Sequence, residues 1–236
     1  MVDKKTNPGL SALMLAAWSK QTDIASILVR RGAEVGATDA DKITPLMYAA
    51  MSGSPEIVRL LLEGGAEIDA LSKRGTALMA AANQGHEEVV KILLERGADV
   101  NLRTDLGWTA LGLAVENQRT GVAQTLIEKG ADVTTTLTGD LATNTPTLLH
   151  LAIYKRSPDI ARMLVEAGAD VDVKNETGLT PLMRAAWSEQ ADMVKLLIEK
   201  GADVSAKGEK NRTALWYAKK VNNKEIARIL QAAGAK

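Results

Sequence analysis

Thr44-Pro45-Leu46-Met47-Tyr48-Ala49-Ala50, with Gly65-Ala66-Glu67-Ile68-Asp69 about twenty residues on, is the stretch that decides the fold. Its opening residue returns as Ser11, Thr44, Thr76, Thr109, Thr147, Thr180 and Thr213, at spacings of 33, 32, 33, 38, 33 and 33. The closing Gly-Ala returns at Gly32, Gly65, Gly97, Gly130, Gly168, Gly201 and Gly234, with the same spacings. A fixed period of this length marks an array of small supersecondary units, each burying its apolar face against its neighbours.

The quoted copy also spells its own secondary structure. Thr44 suits a helix N-cap, because its hydroxyl can accept a backbone N–H, and Pro45 follows where no N–H is needed. Leu46, Ala49 and Ala50 fall on one helical face, and the small alanines let neighbouring helices approach closely. Gly53 ends this helix, and Ser54-Pro55-Glu56 is expected to start a second by the same cap-then-proline logic. Ile57, Val58, Leu60, Leu61 and Leu62 supply its apolar stripe. Gly65 is expected in the left-handed conformation at its end, where a side chain would be strained. Each copy therefore reads as helix, turn, helix and hairpin-like loop.

These motifs resemble the ankyrin repeat family. Gly85-His86, Val89-Val90, Leu93-Leu94 and Gly97-Ala98-Asp99-Val100-Asn101 match the family phrase almost letter for letter. The resemblance implies an all-α ankyrin-repeat solenoid of helix-turn-helix units with hairpin-like loops. One domain over 1–236 is expected, with repeats at about 6–38, 39–70, 71–103, 104–136, 137–174, 175–207 and 208–236. Met14, Met47, Met79 and Met183 stand where the family has His, and only His150 keeps it. In the family that His ties adjacent loops, so weaker ties with sulfur filling the space are expected at the four Met positions. The fifth repeat is five residues longer, and its Thr-rich stretch 134–146 has the composition of a surface loop. Lys4-Lys5-Thr6-Asn7 at one end and Gln231-Ala232-Ala233 at the other read as the polar faces that terminal repeats need.

Composition narrows the function. Lys plus Arg and Asp plus Glu both number 29, so no excess positive charge exists to neutralise many phosphates, and nucleic acid is not an expected partner. Cysteine is absent, which removes disulfides and thiolate metal sites, and no metal or other cofactor is expected. Residues 1–10 lack the apolar core of a signal peptide and no apolar run is long enough to span a bilayer. A cytoplasmic location without membrane attachment is therefore expected, or a periplasmic or secreted one if a leader has been removed. A monomer is expected.

No catalytic constellation stands out. His86 and His150 are the only histidines, and both occupy positions that the repeat uses structurally. Asp99, Asp132, Asp170 and Asp203 recur in one slot after Gly-Ala, the mark of loop stabilisation rather than of acid–base chemistry. The glycines fit turns and caps, with no phosphate-binding Gly-rich motif. The chain is not expected to be an enzyme.

What remains is surface. The resemblance implies binding on the concave side, through loop tips and first helices. The residues before and after the Ala-Ala pair are left free by the core pattern: Leu15/Trp18, Tyr48/Met51, Ala80/Asn83, Leu113/Glu116, Leu151/Tyr154, Arg184/Trp187 and Tyr217/Lys220. Trp, Tyr, Met and Arg are enriched at interface hot spots. Trp18, Tyr48, Met51, Glu116, Tyr154, Arg184 and Trp187, with Trp108 at a loop tip, are thus the candidate partner-binding residues. Each also has a structural reading as cover for the seam between neighbouring first helices, and Trp108 could fold back on the next loop. Trp216, in the family His slot, is expected to be buried. The reading is a non-catalytic scaffold that binds another protein. The alternatives are a small-molecule or carbohydrate binder using the same aromatics, or an engineered or structural scaffold with no dedicated partner.

Overall fold

The computed structural model describes residues 3, 9–136 and 147–235. Among these, every regular element is helical, apart from isolated β-bridges at Ser72–Gly75 and Thr136–Thr147. The chain divides into two compact units, Met1–Ala131 and Asp132–Lys236.

In the N-terminal unit the helices come in pairs: α1 (Ala12–Trp18) with α2 (Thr22–Arg30), α3 (Pro45–Ser52) with α4 (Pro55–Glu63), α5 (Ala77–Gln84) with α6 (Glu87–Glu95), and α7 (Ala110–Glu116) with α8 (Thr120–Glu128). First helices pack in a row, α1 on α3, α3 on α5 and α5 on α7, and second helices do the same in a parallel layer. The C-terminal unit contains α9 (Leu148–Tyr154), α10 (Pro158–Glu166), α11 (Pro181–Trp187), α12 (Ala191–Glu199), α13 (Ala214–Lys220) and α14 (Lys224–Ala232). There α11 packs between α9 and α13, α12 packs on α14, and a 3-10 turn at Glu209–Asn211 precedes α13.

The repeated Ser/Thr is the device that starts every first helix. Ser11, Thr44, Thr76, Thr109, Thr147, Thr180 and Thr213 each accept the amide of the residue three positions on. These oxygens satisfy one of the donors that a helix start leaves open. Second helices mostly start differently. Ser54 makes no cap hydrogen bond, although Pro55 does sit at the first turn. Asn223 is the second-helix cap whose side chain accepts an amide, from Ile226.

The end of α4 shows why Gly-Ala recurs. Gly65 has φ of 84°, its N–H reaches Leu62 O at 3.1 Å, and Ala66 N–H reaches Leu61 O at 2.9 Å. Two orphan carbonyls are thereby satisfied, at a backbone conformation that glycine adopts without steric cost.

The core lies between the layers. Leu46, Ala49, Ala50, Ile57, Val58 and Leu61 are buried, whereas Leu60 and Leu62 are only half-buried at the margin of the second layer. The recurring aspartates hold loops, as their repetition suggested. Asp99, Asp132, Asp170 and Asp203 each accept the amide two residues on, at 2.8 Å in every case. Gln231, Ala232 and Ala233 are exposed, while Ile24 and Ile27 of α2 remain half-exposed. Lys4–Asn7 and most of the Thr-rich stretch, 137–146, lie outside the described residues; of its start, Thr135 is buried and donates to Asp132 O at 3.0 Å.

Candidate functional site: two grooves on the first-helix face

Both histidines serve packing and loop ties. His150 is fully buried, with its Nδ1 2.9 Å from the Thr147 hydroxyl and its Nε2 3.0 Å from Leu179 O, the carbonyl before the next cap. Burial pushes its pKa down to about 4, so the ring is neutral and Nε2–H donates to that carbonyl. His86 Nε2 lies 3.1 Å from Met51 O, and its ring fills the space that a side chain at Gly53 would need. At Met14 the sulfur substitutes in part, accepting the Ser11 amide at 3.4 Å.

Six of the eight candidate residues fall into two groups, one per unit: Trp18, Tyr48 and Met51, and Tyr154, Arg184 and Trp187. In the N-terminal unit Trp18, at the end of α1, meets the Tyr48 ring of α3 edge-on, with centroids 6.1 Å apart and planes at 87°. Tyr48 is half-buried, and its hydroxyl donates to Asp39 Oδ2 at 2.7 Å. Asp39 Oδ1 accepts the amides of Asp41 and Ile43 at 2.8 and 2.9 Å, folding the loop ahead of α3. Burial would raise the Asp39 pKa, but the Tyr48 hydroxyl, the two amides and the Arg74 guanidinium outweigh it and hold the carboxyl below its ordinary range. Burial and the bond to Asp39 push Tyr48 up to about 12. With Met51, Leu15 and Arg74 these residues line a groove of about 440 Å³. Trp18 is 53% exposed at its edge.

The C-terminal unit carries a longer ladder. The Arg184 guanidinium lies 5.6 Å from the Tyr154 ring on one side and 5.7 Å from the Trp187 ring on the other, within cation–π range. Burial draws Arg184 below its ordinary pKa, opposed by the Tyr154 and Tyr217 phenols. Trp187 stacks on Tyr217, with centroids 5.6 Å apart and planes at 24°. Tyr217 also meets Trp216 edge-on at 5.0 Å, and Arg212 lies 4.4 Å over the Trp216 ring. Trp187, Trp216, Tyr217, Leu179, Thr177, Glu209, Arg212 and Lys220 enclose a groove of about 410 Å³.

Several expectations need correction. Tyr217 and Leu151 occupy slots read as free, yet both are buried; Tyr217 is covered by Trp187 and Trp216. Trp216, expected to be buried, is 38% exposed, because Tyr217 takes the inner position and Arg212 covers only one face. Trp108 and Glu116 are half-buried and line neither groove; Trp108 is held through its main chain, its amide donating to Thr104 Oγ1 at 3.1 Å. Sequence reasoning missed Asp39, Arg74, Glu209 and Arg212. Asp39 carried a usable signal, since it precedes a turn as a side-chain acceptor would.

Among the described residues no cluster of three or more His, Asp or Glu side chains could hold a metal ion, and no helix is long and apolar enough to cross a membrane. A family model described as ankyrin repeats (3 copies) matches residues 1–72, 46–137 and 137–208. No curated protein sequence matches the chain. Among solved structures, the human ASB11 ankyrin repeat domain superposes with a TM-score of 0.81 at 23% identity, covering 96% of this chain and 99% of that one. The ankyrin repeat domain of Bcl-3, described as a unique member of the IkappaB protein family, does so with a TM-score of 0.81 at 28% identity, covering 94% and 99%. With its seven capped first helices, its Gly-Ala stops and the matched family model, the chain belongs to the ankyrin repeat family.

Proposed function

We propose that this protein is a non-catalytic scaffold that binds a partner protein through the face of its first helices and the adjoining loops. Ankyrin repeats commonly act as protein–protein interaction modules, and this fold is the coarse part of the reading. The observation that carries the finer part is the exposure of aromatic side chains on that face. Trp18, Tyr154, Trp187 and Trp216 are 53%, 43%, 50% and 38% exposed, although each has packing partners that could have hidden it. Half-exposed aromatic rings held rigid by neighbouring rings and guanidinium groups suit hot-spot anchors, because little conformational entropy remains to be lost on binding. In this reading Tyr48 and Met51 shape the N-terminal groove, Arg184 orients Trp187, and Trp108 and Glu116 form a rim.

The test is affinity capture from the native source with the wild-type chain and with the Trp18→Ala, Trp187→Ala double variant. Loss of the captured partner is expected from a variant that still unfolds cooperatively, with its thermal melt lowered by only several degrees. Equal capture by both proteins would remove the first-helix face from consideration. A tryptophan-fluorescence titration against a panel of sugars and nucleotides separates this reading from a small-molecule binder, and no response is expected.

A further inference from the structure

The C-terminal groove has a chemistry of its own. Its walls are apolar: the exposed faces of Trp187 and Trp216 stand beside the buried side chains of Leu179 and Tyr217. Its volume of about 410 Å³ lies within the range of sites that bury a ligand. Two cations border it, Arg212 and Lys220, against one carboxylate, Glu209. Neither Arg212 nor Lys220 makes an ion pair with a carboxylate among the described residues. The Arg212 guanidinium lies 4.4 Å from the centre of the Trp216 ring, within cation–π range, and a guanidinium offers a rigid fork of N–H donors that matches a planar anion. A carboxylate fits that fork, and an apolar side chain fits the walls beside it.

We propose that the C-terminal groove binds an acidic peptide segment of a partner protein, seating one apolar side chain against Trp187 and Trp216 while flanking carboxylates meet Arg212 and Lys220. The inference rests on the reading of the first-helix face as a protein-docking surface and adds the partner's chemistry. Peptide is favoured over nucleic acid, although stacked rings and arginines can serve either. The chain carries no net positive charge with which to neutralise the many phosphates of a nucleic acid, whereas two or three carboxylates need only the local pair Arg212 and Lys220. The N-terminal groove makes an internal contrast, because there Asp39 and Asp41 outnumber Arg74.

The experiment uses the full chain and three labelled probe sets, read by fluorescence anisotropy. One set contains short peptides with a single Leu, Phe or Trp flanked by Glu and Asp; the second has Lys and Arg in place of the acids; the third is oligo-dT and oligo-rU of similar length. The acidic set is expected to bind roughly tenfold or more tightly than the basic set, with the difference shrinking at high salt. Arg212→Glu should abolish the preference, and Lys220→Glu, at an exposed position, should weaken it. Trp187→Ala should weaken every peptide, whereas Trp18→Ala should leave the acidic set unchanged. The proposal is overturned if no acidic peptide binds, if basic peptides or oligonucleotides bind better, or if the preference survives Arg212→Glu. If basic peptides bind and Trp187→Ala removes them, the acidic class fails but the docking face stands. If Trp187→Ala alters nothing that binds, the docking face fails as well.

Discussion

Trp18 and Trp187 occupy the same slot of the repeat, and each packs on the tyrosine thirty residues further along, Tyr48 and Tyr217. The outcome nevertheless differs, edge-on at 87° in the N-terminal unit and nearly parallel at 24° in the C-terminal one. The reason lies nine residues before each tyrosine. There the first unit has Asp39, whose carboxylate holds the Tyr48 hydroxyl at 2.7 Å, and the second has Gly208. A side chain at Gly208 would stand 2.8 Å from Gly178 O, so no carboxylate can be placed there without moving the backbone. Untethered, Tyr217 sinks to 6% exposure between two tryptophans and becomes core, while Tyr48 stays half-buried as part of a hydrogen-bonded wall. One repeat position thus does two jobs, decided by a neighbour in the preceding loop.

The largest effect that would break this contrast is Tyr217→Ala. It empties a buried aromatic site and should cost the C-terminal unit about 3–4 kcal/mol in urea unfolding. If the cost is instead as small as that of an exposed residue, Tyr217 is surface and the two slots are alike.

Next is Asp39→Ala, which removes one hydroxyl and two amide hydrogen bonds and should cost about 2–3 kcal/mol. It should also move the Tyr48 phenol, followed by ultraviolet absorbance, from about 12 back towards its ordinary value of 10.0. The signs follow from linkage. Because Tyr48 is raised, the wild type loses stability as pH rises from 10 to about 12; because Asp39 is lowered, it loses stability as pH falls below 3.8. Both losses should be smaller in the variant.

A comparable difference concerns acid. His150 is depressed from 6.5 to about 4 by burial, so the C-terminal unit should lose about 3 kcal/mol as pH falls across that window. His150→Met installs the residue that four other repeats use there and should abolish this acid sensitivity, at the expense of the bond to Leu179 O. An unchanged pH profile would mean that His150 is not the group responsible.

The smallest effects are Trp18→Ala and Trp187→Ala taken singly. Each ring is about half-exposed and makes aromatic contacts with its neighbours, so a loss of about 1 kcal/mol is expected for each. A much larger loss for either would assign it to the seam between helices rather than to a docking surface.

Much of this molecule was legible in the sequence, because caps, stops and core positions are local. Thr44 accepts an amide three residues away, and the amides of Gly65 and Ala66 satisfy the carbonyls of Leu62 and Leu61; neither device needs to know the rest of the chain. Ser54 shows the limit of that logic. It looks like a cap, yet it is buried and makes no cap bond, and Pro55 alone marks the helix start. The candidate site was legible only as a set of slots. Trp18, Tyr154, Arg184 and Trp187 were found from their places in the period, but Arg212 and Trp216 were not, since a loop arginine carries no periodic signal and the histidine slot is buried at Met14, Met47, Met79, His150 and Met183.

The sequence by itself determined the array, the direction of every first helix and the face on which variation is allowed, because a repeat of about 33 residues is enforced by hydrogen bonds and contacts within one copy and its neighbour. Only the tertiary structure decided which of those variable side chains face outward and what they present. Tyr48 is tethered by Asp39 of its own copy, but whether Tyr217 is buried and which charged residues share a groove with Trp18 or with Trp187 depend on distances between side chains of successive repeats. Those distances are set by packing across the repeat boundary, and no single copy contains them.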